Sequence, residues 1–246
     1  MLYLFAIVLA ASCTTSHPVS DHTVQADEYE TRTLQGWTVH INRRLLTEQP
    51  QATQKALQLT DKQLTLIARM VAKEPLEKLQ TVPLWFNPQY EGERPRAEYH
   101  PGRRWLQNNG RNPDMERCIE FSNVSIFERE TKRMPLFVLH ELAHAYHHQV
   151  LGHSHPGILA AYQKAEESGT YEEVQRWRGP NIPLTVERAY GMNNEKEYFA
   201  EITEAYFGRN DFYPFIRSEL KRHDPEGERL LLAIWGEPRH AWKDDQ

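Results

Sequence analysis

The segment His140-Glu141-Leu142-Ala143-His144 constrains this chain more than any other. At 100° per residue, two histidines four apart on a helix lie about 40° apart around its surface and one turn apart along it, so both imidazoles can reach one metal ion. Glu141 points off to the side, where it can contact a metal-activated water without being a ligand, which is the geometry of a general base. The flanking sequence PLFVLHELAHAYHHQV (135–150) meets the needs of a helix. Leu136, Leu139, Ala143 and Val150 give it an apolar face, and Gly152 can end it. The competing reading makes His140 and His144 ordinary surface or core-edge histidines.

A hydrolytic zinc site keeps three protein ligands and leaves its fourth position open. The extended pattern HExxHxxGxxH would put a third His on the same segment, but its Gly position is His147 here and its last His position is Val150. His147 and His148 are therefore read as polar or supporting groups, with contact to metal or substrate as the alternative. The third ligand must come from a later element. Glu195 to Phe207 (EKEYFAEITEAYF), ended by Gly208, predicts a helix on which Glu197 and Glu201 share a face. One carboxylate can bind the metal while the next holds a ligand imidazole by its distal N–H. Glu197 is assigned as the ligand and Glu201 as the imidazole holder, the reverse being the alternative. Glu204, a turn further on, is expected to be structural.

HELAH followed by the Tyr-x6-Glu-Tyr-Phe-Ala-Glu run from Tyr190 to Glu201 resembles the family of zinc metallopeptidases that includes the anthrax lethal factor catalytic domain and the secreted Pro-Pro endopeptidases. The resemblance covers about residues 119–242 and is strongest at 136–150 and 190–207. It implies an α+β fold of the zincin type: a small twisted sheet with the active-site helix, and a mostly helical C-terminal lobe. It also implies one Zn(2+) ion held by His140, His144 and Glu197, with Glu141 as general base and Glu201 supporting a ligand. Tyr190 takes the role of stabilising charge on the carbonyl oxygen. The activity so implied is peptide-bond hydrolysis. A metal-binding or interaction module without catalysis, and a hydrolase of a cell-wall amide, are the alternatives.

At the N-terminus, Leu2 to Ala11 are ten consecutive apolar residues, too few to cross a bilayer but suited to the apolar core of a secretory signal. Residues 1–12 are read as that signal, of lipoprotein type, with Cys13 as the lipidated first residue of the mature chain. Plain secretion and a buried apolar strand are the alternatives. Residues 13–35 have few large apolar groups and no period, which predicts a tether, so the metallopeptidase domain is placed at 36–246. A bacterial cell-envelope lipoprotein or a secreted protein follows, attached to a membrane only through Cys13.

Two cysteines cannot make a disulfide framework, and a net charge of −5 supplies no broad cationic field, so nucleic acid is not an expected partner. Cys118 is read as a small buried group rather than a nucleophile. Peptide or protein substrate is the expected partner, and the chain is expected to be monomeric.

Elsewhere, Trp37, Val39 and Ile41 alternate as in a strand, and VPLWF (82–86) and Ile119 to Phe121 predict two more. Asp61 is expected to cap a helix carrying Leu64, Ile67, Ala68 and Val71. Asn87 to Asp114 reads as a long loop, in which Trp85 just before it and Tyr90, Tyr99 and Trp105 within it are assigned to packing rather than to a cleft. Pro156 to Glu167 predicts a helix, and 212–242 holds two more. Substrate is expected to lie extended along the strand at Ile119 to Ser122 as an edge addition.

Overall fold

The computed structural model describes residues 28–242. The export signal and Cys13 lie outside the described residues. Strand β1 (Tyr29–Leu34) and strand β2 (Trp37–Asn42) form a hairpin closed by the pair Leu34 and Trp37. Its two turn residues, Gln35 and Gly36, both take positive φ, 49° and 92°, the turn whose twist matches that of the flanking strands. Gly36 is required on a second count, because a Cβ there would meet Gln80 Nε2 at 2.5 Å. The strand β1 corrects the tether expected over 13–35. Its sequence, YETRTL, carries no apolar alternation; the strand forms because β2 offers it a full backbone ladder, and Tyr29 at its start packs edge-on against Trp85 at 4.8 Å.

Three helices follow: the short α1 (Arg43–Glu48), the long α2 (Pro50–Met70) and the short α3 (Lys73–Leu79) lead to β3 (Leu84–Phe86). Then come β4 (Ala97–Tyr99), α4 (Arg103–Asn108) and β5 (Ile119–Phe121). The helix α2 does not start at Asp61. It starts at Pro50 in a first-turn position, where the missing N–H costs nothing, and runs 21 residues through Asp61. Its first half was hidden by buried polar residues: Thr53 and Thr60 bond back to the carbonyls of Gln49 and Ala56. The segment 87–114 is likewise no continuous loop, since it contains β4 and α4.

The five strands form one sheet in the order β1-β2-β3-β5-β4, with β2, β3 and β5 parallel and β1 and β4 antiparallel edges. Ile119 to Ser122 is therefore an inner position, and the edge beside the helix that carries HELAH is β4. That corrects the expected substrate strand.

The C-terminal half is mostly helical. It comprises α5 (Phe127–Arg133), α6 (Phe137–Tyr146), α7 (Pro156–Ser168), a hairpin of β6 (Val174–Arg176) and β7 (Thr185–Glu187), α8 (Glu195–Phe207), α9 (Arg217–His223) and α10 (Pro225–Trp235). The architecture is mixed α+β with a small sheet. α6 ends in one wider, π-type turn over His147–Leu151, and Gly152 turns the chain away at φ 81°. No described helix is long and apolar enough to cross a membrane.

Both site helices are core elements. Of the ten residues of α6, eight are buried, and ten of the thirteen in α8 are buried. Helices buried on nearly every side have no solvent face to slide along, so their relative rotation is fixed by packing from all directions. Leu142 and Ala145 on α6, and Phe199 and Ile202 on α8, belong to the same core as Trp37 and Phe86 of the sheet. Residues Leu136 and Phe137 open α6 without a side-chain cap. Gln63 of α2 supplies the acceptor instead, its Oε1 taking the Val138 N–H at 3.1 Å.

Candidate metal centre

α6 and α8 pack side by side and bring three ligand atoms together. His140 Nε2 lies 3.2 Å from Glu197 Oε2, His144 Nε2 lies 3.3 Å from the same oxygen, and the two Nε2 atoms are 3.1 Å apart. Zinc–ligand bonds of 2.0–2.1 Å at a tetrahedral angle put ligand atoms roughly 3.3–3.4 Å from one another. The observed triangle is close to that size. His140, His144 and Glu197 are also among the described His and carboxylate groups whose ligand atoms all fall within 4.8 Å of one another.

The second nitrogen of His140 decides what the first can do. Nδ1 is 2.8 Å from Glu204 Oε1, and that carboxylate is fully buried. An imidazole that donates Nδ1–H to a carboxylate presents a bare lone pair at Nε2. That lone pair faces a second imidazole nitrogen and a carboxylate oxygen, an arrangement that repels itself unless a proton or a metal cation sits between them. Burial works to lower the His140 pKa, but hydrogen bonds to Glu197 and Glu204 outweigh it and hold it well above the ordinary imidazole value. Burial works to raise Glu197, but the two imidazoles hold it well below the usual carboxylate range. Both directions report one pairing: the imidazoles and the carboxylate favour each other's charged forms.

Glu204 thus occupies the role expected of Glu201. Seven residues are nearly two full turns, so Glu204 returns to within about 20° of Glu197, whereas Glu201 is displaced by about 40°. Glu201 instead accepts from Asn210 Nδ2 at 2.9 Å. Burial, followed by Asp211 and Glu204, drives its carboxyl pKa well above the ordinary value.

Glu141 lies beside the triad with Oε2 2.9 Å from the backbone N–H of Tyr99. Burial raises its pKa, opposed by His140 and His144. Tyr190 begins the short turn before α8; its ring is 47% exposed and lines the cleft with His140 and Glu141. The turn lies flat on α8 because of Gly191, where a Cβ would approach Tyr198 Cα to 3.2 Å. α8 then starts at Asn194, whose side chain accepts from the N–H groups of Lys196 and Glu197 at 3.0 and 3.1 Å. The cap fixes the helix register at the ligand itself.

The edge strand β4 is held from behind by Glu120 of β5, which accepts from Asn87 Nδ2 (2.6 Å), Tyr90 Oη (2.5 Å) and Arg111 Nη1 (2.8 Å) and bonds His100 Nε2 (2.8 Å). Burial would raise the Glu120 pKa, but His100 and Tyr90 bring it below the ordinary value. Glu98, His100 and Glu120 also lie close enough for a metal, but the cation there is already supplied by Arg111, 2.8 Å from Glu120 and 3.3 Å from Glu98. Of the four aromatic residues assigned to packing, Trp85 is buried and Trp105 stacks on His100, while Tyr99 lines the cleft. Cys118 is buried and its thiol is pushed up to about 12 by that burial, which leaves it inert.

Two cavities meet at His140, Glu141 and Tyr190. One, of about 220 Å³, lies towards Met134, Phe137 and Phe212; the other, of about 390 Å³, lies towards His144, Asn194 and His153. His148 is outside the triad: its Nδ1 meets Tyr99 Oη at 2.7 Å. His147 is fully buried with both ring nitrogens unpartnered, and burial, then His153, lowers its pKa to about 4. No protein-family model, curated protein or solved structure matches the chain.

Proposed function

We propose that this chain is a zinc-dependent metalloendopeptidase of the zincin type, with His140, His144 and Glu197 as ligands of one zinc ion. The observation that carries the reading is the triangle of unshared donor atoms, 3.1–3.3 Å on a side, with Glu141 at its edge. A zinc ion held there would supply Lewis acidity towards a carbonyl oxygen and acidify the attacking water. The remaining steps belong to the chain. Glu204 keeps His140 in the tautomer that leaves Nε2 free. The Tyr99 N–H aims the Glu141 carboxylate. Glu141 takes a proton from the attacking water and hands it to the leaving amine, a task helped by burial that raises its basicity. Tyr190 donates a hydrogen bond from its phenol to the carbonyl oxygen as negative charge grows there; no described residue competes for that hydroxyl.

Substrate is placed along β4. In that strand Arg96 and His100 bond β5 (Ser122 N to Arg96 O, 2.9 Å; His100 N to Cys118 O, 3.0 Å), so alternation turns the polar groups of Ala97 and Tyr99 outward. Glu141 occupies the Tyr99 N–H, which leaves the N–H and C=O of Ala97 to pair with an extended peptide. Export through residues 1–12 and lipid attachment at Cys13 complete the proposal, with the chain working in the cell envelope or outside the cell.

The test combines metal analysis with peptide cleavage. One zinc per chain, hydrolysis of a peptide library, and loss of at least about a hundredfold in turnover for Glu141→Gln at unchanged zinc content are expected. Zinc binding without any cleavage would make the protein a metal-binding module, and full activity of Glu141→Gln would refute the base.

A further inference from the structure

The cleft is electrically lopsided about the metal triad. β4 runs from the cavity beside Phe137 and Phe212 to the cavity beside His144 and His153. In the first, the cations are matched. Arg133 and Arg176 both pair with Asp211, and Glu130 and Glu187 take their remaining donors. In the second, Arg96 is matched by Glu93 and Glu98, but Lys196, which lines that cavity, has no ion pair and no side-chain hydrogen bond among the described residues. Arg117 on the same side likewise has no ion pair there. After burial, Arg117 and Lys196 are the largest influences lowering the His148 pKa, which places both charges near that imidazole.

Lys196 also sits where helix physics disfavours it. It is the second residue of α8, and a cation in a first turn opposes the helix dipole, whereas its neighbours Glu195 and Glu197 are of the favoured sign. Lys196 is half-buried yet unpaired, and functional sites are where such departures from local helix rules are expected. With zinc bound, the ion's charge is balanced by Glu197 and Glu141, which leaves the Lys196 ammonium without a carboxylate partner in that cavity.

We infer that this end is a subsite for a carboxylate of the substrate, with Lys196 as its specificity-determining residue. The inference rests on the peptidase reading above. The carboxylate is an Asp or Glu side chain, or the terminal carboxylate of a peptide.

The experiment uses the zinc-loaded full chain and peptides carrying Glu, Gln or Lys at one position at a time, each with free and amidated C-terminus. An acidic residue at one position should raise kcat/KM by about fivefold to tenfold over Gln, and added salt should shrink that ratio. Lys196→Gln should bring the ratio to about one, and Lys196→Glu should reverse it in favour of Lys. Because Glu suits a helix first turn, Lys196→Glu should keep or raise the Tm, which separates a lost contact from a lost fold. A preference confined to peptides with free C-termini assigns the terminal carboxylate. Wild-type enzyme indifferent to charge, or a preference unchanged in Lys196→Glu, overturns the subsite while leaving the peptidase intact. A zinc-loaded chain that cuts no peptide overturns both.

Discussion

Glu204 offers the sharpest test of how the site is built. Its Oε1 accepts from His140 Nδ1 at 2.8 Å, its side chain is fully buried, and that of His140 is 7% exposed. With the carboxylate removed, the imidazole must either bury an unpaired N–H, at a cost of about 1–3 kcal/mol, or rotate out of register with the ion. Either penalty is charged to zinc affinity. Glu204→Gln keeps the shape and a neutral acceptor, so zinc should bind about tenfold more weakly, equivalent to ~1.4 kcal/mol. Glu204→Leu removes the acceptor as well, and the loss should approach a hundredfold, ~2.7 kcal/mol. Glu201→Gln is the internal control. Its carboxyl bonds Asn210 rather than an imidazole, so zinc affinity should stay within about twofold. Competition for zinc against a chromophoric chelator, with far-UV circular dichroism to confirm folding, reads all three variants. Unchanged affinity in Glu204→Gln, or an equal loss in Glu201→Gln, would show that His140 is oriented by something other than Glu204.

Two further outcomes follow from the same geometry. Tyr190→Phe removes one phenol at the cleft and no packing volume, so turnover should fall by about tenfold to a thousandfold with zinc content unchanged; an unaltered turnover would make Tyr190 a packing residue. His147 predicts an acid-sensitive fold. Its folded pKa, lowered to about 4, lies below the ordinary value of 6.5, so its neutral form is at full benefit above pH 6.5. As the pH falls from 6.5 to about 4 the unfolded chain gains a proton that the folded chain does not, and on the order of 3 kcal/mol of stability is lost. Urea unfolding of the metal-free protein at pH 7.5 and 4.5 should show that drop shrinking in His147→Leu, and an equal drop in both proteins would refute the assignment.

The parts of this protein that were legible in the sequence are those governed by local rules. The helix from Glu195 to Phe207 is bounded by the Asn194 cap and by Gly208, and it forms over the residues expected. Pro156 opens α7 in the same way, and the helix closes one residue beyond expectation at Ser168. HELAH fixed two neighbouring imidazoles because their relation is internal to one helix. Where the signal depended on a partner, it was not legible. β1 carries no apolar period and exists because β2 pairs with it. The first half of α2 hides its buried face behind threonines whose hydroxyls are satisfied by the helix itself.

The same division runs through the site. A sequence can place Glu197, Glu201 and Glu204 on one helix face, but which carboxylate reaches His140 Nδ1 depends on the angle at which α8 crosses α6. That angle is set by core packing between residues distant in the chain, and it selected Glu204 over Glu201. The edge strand was beyond local reasoning for a related reason. Ile119 to Phe121 and Ala97 to Tyr99 are both three-residue strands, and only the strand order, a product of nonlocal pairing, makes the second one the rim of the cleft. The sequence by itself determined that His140 and His144 share one helix face with Glu141 beside them, since residue type and helical spacing are local. The tertiary structure alone decided which carboxylate bonds His140 Nδ1 and which strand rims the cleft, because orientation and adjacency are properties of packed elements rather than of the residues within them.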